Sequence, residues 1–343
     1  MGFHVRIYSE RLVLRHQWRI SRQVDAFKDN VFIEIERDGI VGLGEAAHNP
    51  RYDESLDSTR RFLDAATPVL ERCHPRHFQH VIDEIDMLAP GQGAAKACVE
   101  MALLDWITKQ AGWPLARYLG VDEQRMLQTS FSIGLDEPEI IRKKVREAQD
   151  FPILKIKLGT EHDDEIIDAV RSETDKILRV DANEGWKDRE LALERIRWLS
   201  GLNVEFVEQP MPADRHDDMK WLHQRAPLPL FADEAVKNSR DIPTLVGGYD
   251  GINIKIDKSG GLLEALRMIS LARTCPMRVM IGCMVASSLS ITAAAHLVPL
   301  ADYADLDGNL LLQNDPFDGI KVEKGWLRLP KRIGLGVEKK SRH

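Results

Sequence analysis

The chain has 343 residues, enough for two domains or for one barrel with an appendage. Its 54 acidic residues exceed its 47 basic ones, for a formal charge of −7. With no basic run either, nucleic acid and anionic membranes are disfavoured as partners. Apolar residues make up 43% and charged residues 29%, a globular composition that can bury a large core without cross-links.

The N-terminal MGFHVRIYSERLVLRH has no continuous apolar segment of the secretory kind, so a cytoplasmic protein is expected. Residues 3–14 and 30–37 have strand character, and Asp38-Gly39 marks a turn into IVGLGEA. Helical periodicity follows at 55–72 and 93–111, the second stopped by Gly112. This first third reads as a mixed α+β unit. From about residue 127, eight short apolar runs alternate with amphipathic stretches: QTSFSIG, ILKIKL, KILRVDA, VEFVEQP, LPLFADE, GINIKID, RVMIGCM and YADLDGN. Such alternation predicts a parallel sheet, and eight repeats predict a closed (β/α)8-type TIM barrel. Residues 279–301 contain no Asp, Glu, Lys or Arg, but their serines, threonine, His296 and Pro299 suit a buried strand, loop and helix better than a membrane span. Cys73, Cys98, Cys275 and Cys283 have neither zinc-site nor disulfide-framework spacing and are expected as reduced thiols. KVEKGWLRLP near the end looks like a return to the first domain. The expected division is 1–125, completed by about 310–343, and 126–309 for the barrel.

Charges recur at the C-terminal ends of the expected strands, where a barrel carries its active site. Lys155-Ile156-Lys157 ends strand 2, Asp181 strand 3, Glu208 strand 4, Asp233 strand 5 and Lys255 strand 6. From Lys157 onward the steps are 24, 27, 25 and 22 residues, about one βα unit each. Asp181, Glu208 and Asp233 therefore converge from neighbouring strands. Three carboxylates without His or Cys suit a hard cation, Mg2+ before zinc, with one ion per subunit. Strands 2 and 6 lie four apart in eight, so Lys157 and Lys255 face each other across a metal-bound substrate. A carbon acid held between two amines can lose a proton to one and regain it from the other, which is inversion by two-base catalysis through a metal-stabilised enediolate. Lys155 shares a strand face with Lys157. Two ammonium groups about 5 Å apart repel by roughly 3 kcal/mol, enough to bring Lys157 towards a useful pKa near about 8. Lys155 is also expected to help neutralise a substrate carboxylate.

These residues resemble the enolase superfamily, muconate-lactonizing subgroup: Lys155-x-Lys157, Asp181 in VDANEGW, Glu208 in VEFVEQP, Asp233 in ADE and Lys255 in INIKIDKSGG. The resemblance covers nearly the whole chain, including GLGEAA at 42–47, and implies an enolase-like modified barrel under an N-terminal capping domain. On strand 8, Asp305 and Asp307 form an i, i+2 pair that invites a substrate ammonium. A substrate with a carboxylate at the metal and an ammonium here must exceed a free amino acid. A dipeptide, at about 7 Å, has the reach. The pair resembles that of the dipeptide epimerases, including L-Ala-D/L-Glu epimerases, as does IGCMVASSLSITAAAH at 281–296.

That likeness places the backbone of Cys283, Met284 and Val285 along the dipeptide. In the Ala-Glu enzymes an arginine meets the substrate glutamate; it falls here at Arg22 or Gln23, and Arg22 is taken as the candidate. Those enzymes commonly carry an acid where Ala286 stands, so an apolar substrate residue is favoured here. Ser132, inward on strand 1, is a further substrate contact, and Arg19, Arg51 and Tyr52 lie in loops over the site. The alternatives are an N-acylamino acid racemase or an o-succinylbenzoate synthase, which leave Asp305 and Asp307 without a role, and a non-catalytic metal-binding relative. The expected partner is a small dipeptide, with a homo-oligomer left open.

Overall fold

The computed structural model describes residues 2–20 and 23–341. The chain begins with three antiparallel strands, β1 (His4–Ile20), β2 (Gln23–Arg37) and β3 (Ile40–Ala46). The expected Asp-Gly turn joins β2 to β3, with Asp38 at φ 54° and Gly39 at φ 75°, as a tight hairpin requires. β1 runs past the expected residue 14, and its pairing with β2 shifts between Val13 and Trp18. Helices α1 (Leu56–Arg72), α2 (Phe78–Asp86), α3 (Gly93–Ala111) and α4 (Leu115–Leu119) follow. Ser55 and Ser58 form a reciprocal capping box at the start of α1. Gly112 ends α3 in the left-handed region at φ 70°.

Eight parallel strands come next: β4 (Phe131–Ile133), β5 (Ile153–Lys157), β6 (Ile177–Asp181), β7 (Val204–Glu208), β8 (Leu230–Ala232), β9 (Gly251–Ile254), β10 (Arg278–Gly282) and β11 (Tyr303–Asp305). All eight lie in the eight expected runs, and they pair in sequence order. A bridge between Thr129 and Ala304 closes the barrel. The connections carry α5 (Pro138–Glu147), α6 (Asp163–Arg171), α7 (Arg189–Ser200), α8 (His216–His223), α9 (Ile242–Leu245), α10 (Ile256–Ser259), α11 (Leu262–Thr274) and α12 (Ser288–Ala295). The uncharged stretch 279–301 thus resolves into most of β10, a loop and α12. No helix among the described residues is long and apolar enough to cross a membrane. After β11 no further helix follows among the described residues, and the chain turns back.

The tail forms β12 (Phe317–Asp318), β13 (Lys321–Glu323), β14 (Trp326–Arg328) and β15 (Glu338–Lys339). It touches both halves. Arg15 N bonds Leu311 O at 2.8 Å on the cap side, and Thr129 N bonds Gly325 O at 2.8 Å at the barrel.

Helix α3 is buried nearly all round and packs on α10 and α11 as well as on the cap sheet. Its Glu100, 3% exposed, accepts a 2.9 Å hydrogen bond from Leu263 N at the start of α11. Burial pushes this carboxyl from 4.5 up to about 7, against the lowering effect of the backbone donors. A raised acid stabilises the fold fully below the unfolded value and loses that contribution as pH rises through the folded one. Wild type is therefore expected to lose about 2–3 kcal/mol relative to Glu100→Gln between pH 5 and pH 8, measured by urea denaturation. Parallel pH profiles for the two proteins would contradict this role.

Candidate active site

β5 points Lys155 and Lys157 into the barrel mouth, and β6 and β7 bring Asp181 and Glu208 alongside them. Asp233 follows β8, and Lys255 follows β9 as the N-cap of α10. One oxygen each from Asp181, Glu208 and Asp233 lies within 4.8 Å of the others, and all three residues are buried. The structure thus brings together the six residues expected at the ends of strands 2 to 6.

Each ammonium is held by carboxylates. Lys155 Nζ lies 2.7 Å from Asp305 Oδ2, 2.8 Å from Glu208 Oε2 and 3.1 Å from Asp181 Oδ2. Lys157 Nζ is 2.6 Å from Asp181 Oδ2, and Lys255 Nζ is 2.6 Å from Asp233 Oδ2. Burial disfavours the Lys155 ammonium, but Asp305, Glu208 and Asp181 outweigh it and hold the group well above the usual lysine range. Burial also works against Asp181 and Asp233, yet the lysines hold both below the ordinary carboxylate range. Burial and the nearby Asp181 push Glu208 the other way, up to about 7.

The donor set suits a hard cation: three buried carboxylates converge without a sulfur or imidazole ligand. Glu208 Oε2 accepts no well-directed hydrogen bond, although Lys155 stands beside it.

Asp305 and Asp307 lie across the mouth, beyond Lys155. Asp305 Oδ1 accepts Ser130 Oγ at 2.7 Å, and Asp307 Oδ2 accepts Ser132 N at 2.6 Å. Burial and Asp305 together push Asp307 up to about 6. The cavity is lined by Lys155, Lys157, Lys255, both aspartates and Ser132, and also by Cys283, Met284 and Val285. Tyr52 joins its wall, whereas Arg51 forms a two-pronged pair with Glu184 at 2.7 and 2.8 Å that ties cap to barrel. Arg19 is exposed, and Arg22 lies outside the described residues.

Among the described residues, several that were not expected bear on the site, four of them closely. Asn253 donates from Nδ2 to Glu208 Oε1 at 2.8 Å. It stands two before Lys255, and strand alternation was the available signal. Lys258, one turn beyond Lys255, donates to Asp233 Oδ1 at 2.7 Å, to Asp233 O at 2.6 Å and to Asn253 O at 3.0 Å. Gln209, at φ 37°, receives Asp233 N and Ala235 N on Oε1 at 3.0 and 3.1 Å. Trp18 brings the end of β1 over the site, its ring centre 5.9 Å from Lys157 Nζ. No local pattern marks Gln209 or Trp18, because long-range packing places them.

A family model for the mandelate racemase / muconate lactonizing enzyme N-terminal domain matches residues 3–120, and one for the enolase C-terminal domain-like fold matches 140–342. The chain is 41% identical over 330 residues to an L-Ala-D/L-Glu epimerase of Bacteroides thetaiotaomicron, covering 96% of this chain and 86% of that one. It is also 41% identical over 347 residues to an L-Ala-D/L-amino acid epimerase of Pedosphaera parvula, covering 98% and 99%. Among solved structures, a dipeptide epimerase of Cytophaga hutchinsonii, complexed with Mg and D-Ala-L-Val, superposes with a TM-score of 0.94. The two share 29% identity over 99% of this chain and 96% of that one. Two matching domain models and two relatives at this identity settle descent: the chain belongs to the mandelate racemase/muconate lactonizing enzyme family, on the enolase-like fold.

Proposed function

We propose that this protein is a Mg2+-dependent dipeptide epimerase that inverts the α-carbon of the C-terminal residue. The observation that carries this reading is the placement of Lys157 and Lys255 four strands apart, on either side of the Asp181, Glu208 and Asp233 cluster. Held between them, an α-carbon gives its proton to one amine and receives another from the opposite side. The two lysines exchange roles according to the stereoisomer bound.

The three carboxylates would hold Mg2+, which when bound supplies positive charge against the charge that builds on the substrate carboxylate as the proton leaves. Asp181 Oδ2 and Asp233 Oδ2 are the atoms now gripped by Lys157 and Lys255, so cation binding and release of both amines are coupled. Lys155, held by Asp305 and Glu208, keeps its charge and faces the same carboxylate. Asp307 faces the substrate ammonium, with Asp305, held by Lys155 and Ser130, beside it. Cys283, Met284, Val285 and Ser132 line the path between. A cytoplasmic setting suits four free thiols, and the net negative charge supports a small-molecule substrate over nucleic acid.

Incubating a dipeptide panel in D2O with Mg2+ is expected to place deuterium at the C-terminal α-carbon, and chelating the metal is expected to stop it. Lys157→Ala and Lys255→Ala are each expected to cut epimerisation by at least about a hundredfold. Exchange with N-acylated amino acids and with no dipeptide overturns the reading. Asp307→Asn is expected to lower kcat/KM for dipeptides with a free amino terminus by about 10- to 100-fold, mostly through KM. Unchanged kinetics in that variant would remove its ammonium role.

A further inference from the structure

The GLGEAA segment of the cap lies outside the chemistry described so far, although its Glu45 is fully buried. Gly42 and Gly44 press β3 onto α3. A Cβ at Gly42 would sit 2.2 Å from Ala102 O, and one at Gly44 only 1.9 Å from Cys98 O. Strand alternation then sends Glu45 off the opposite face, towards the barrel. Its carboxylate meets the start of α12. Oε1 accepts Ser287 N at 2.9 Å and Asn30 Nδ2 at 2.8 Å, while Oε2 accepts Ser287 Oγ at 2.5 Å and Ser290 N at 3.2 Å. The same Asn30 Nδ2 reaches Val285 O at 3.3 Å. Two residues beyond Glu45, Ala47 N donates to Asp257 Oδ1 at 2.9 Å, and Ser290 Oγ donates to Asp257 Oδ2 at 3.0 Å. Asp257 is two residues past Lys255. One strand end of the cap therefore grips both the turn that begins with Lys255 and the loop that lines the cavity at 283–285.

We propose that Glu45 and Asn30 are positioning residues that fix the backbone of 283–287 and thereby set which dipeptides bind productively. Neither lines the cavity, so both act through the loop they hold. This specificity role rests on the dipeptide reading above, whereas the grip on the loop does not.

The test uses Glu45→Gln and Asn30→Ala, with amide hydrogen exchange and steady-state kinetics on a dipeptide panel. Amides of 283–290 are expected to exchange about tenfold faster in both variants, with those of β5 to β8 unchanged. KM for the best dipeptide is expected to rise about tenfold, kcat to change by less than about threefold, and the preference among amino-terminal residues to flatten. Mg2+ affinity by calorimetry stays the same. Asn30→Ala removes the Val285 contact while leaving the carboxylate in place, so it carries the test if Glu45→Gln does not fold. Wild-type exchange at 283–290 in Asn30→Ala overturns the grip. Faster exchange with an unaltered dipeptide ranking overturns the specificity role. If wild type turns over no dipeptide, the substrate reading falls and the exchange data still judge the grip.

Discussion

The barrel mouth depends on mutual compensation among buried charges. An isolated carboxylate or ammonium in such a place costs several kcal/mol, and truncating one partner of a buried pair costs about 3–5 kcal/mol. Here Asp181, Glu208, Asp233 and Asp305 are interleaved with Lys155, Lys157, Lys255 and Lys258. Neutral donors take up further lone pairs, Asn253 on Glu208 and Ser130 on Asp305. The cluster is poorly suited to raising stability, since apolar packing would do as well without the desolvation. It is well suited to holding several charges of both signs within reach of one substrate.

The same constraint explains the cap. A site whose charges must be kept from water needs a cover, and the cover must register with the barrel. Trp18 lies over Lys157, and Arg51 pairs with Glu184 across the two halves. Glu100 and Glu45 then fasten the starts of α11 and α12. These two helices follow the strands that end at Lys255 and at the 283–285 loop. Helix N-termini favour buried carboxylates, which satisfy donors that the helix itself leaves open. Each such contact places a barrel element relative to the cap, so the cavity is shaped by both domains.

Much of this arrangement is legible in the amino-acid sequence. The eight strands could be read because each is an apolar run bounded by turns, and the charged ends could be read because a closed barrel sets them at one height. Lys155 and Lys157 share one face of β5, as alternation requires, whereas β11 ends at Asp305 and Asp307 lies just beyond it. Lys258 was harder, because it reaches Asp233 from a single helical turn whose start follows immediately on the strand. Gln209 depends on a left-handed backbone at a non-glycine residue, which local sequence does not announce. Trp18 and Glu45 act across roughly 140 and 240 residues of chain, where only tertiary packing makes them neighbours. After β11 no helix follows among the described residues, and the chain runs back along the cap.

The proposed epimerisation requires one α-carbon between two opposed amines, with its carboxylate on the side of the Mg2+ that Asp181, Glu208 and Asp233 would hold. A crystal structure with Mg2+ and a bound dipeptide tests it most directly. The expected structure has the C-terminal α-carbon between Lys157 Nζ and Lys255 Nζ, on opposite faces, with both amines withdrawn from Asp181 and Asp233. A dipeptide with both lysines on one face, or with its ammonium at the metal end and its carboxylate at Asp307, would contradict it.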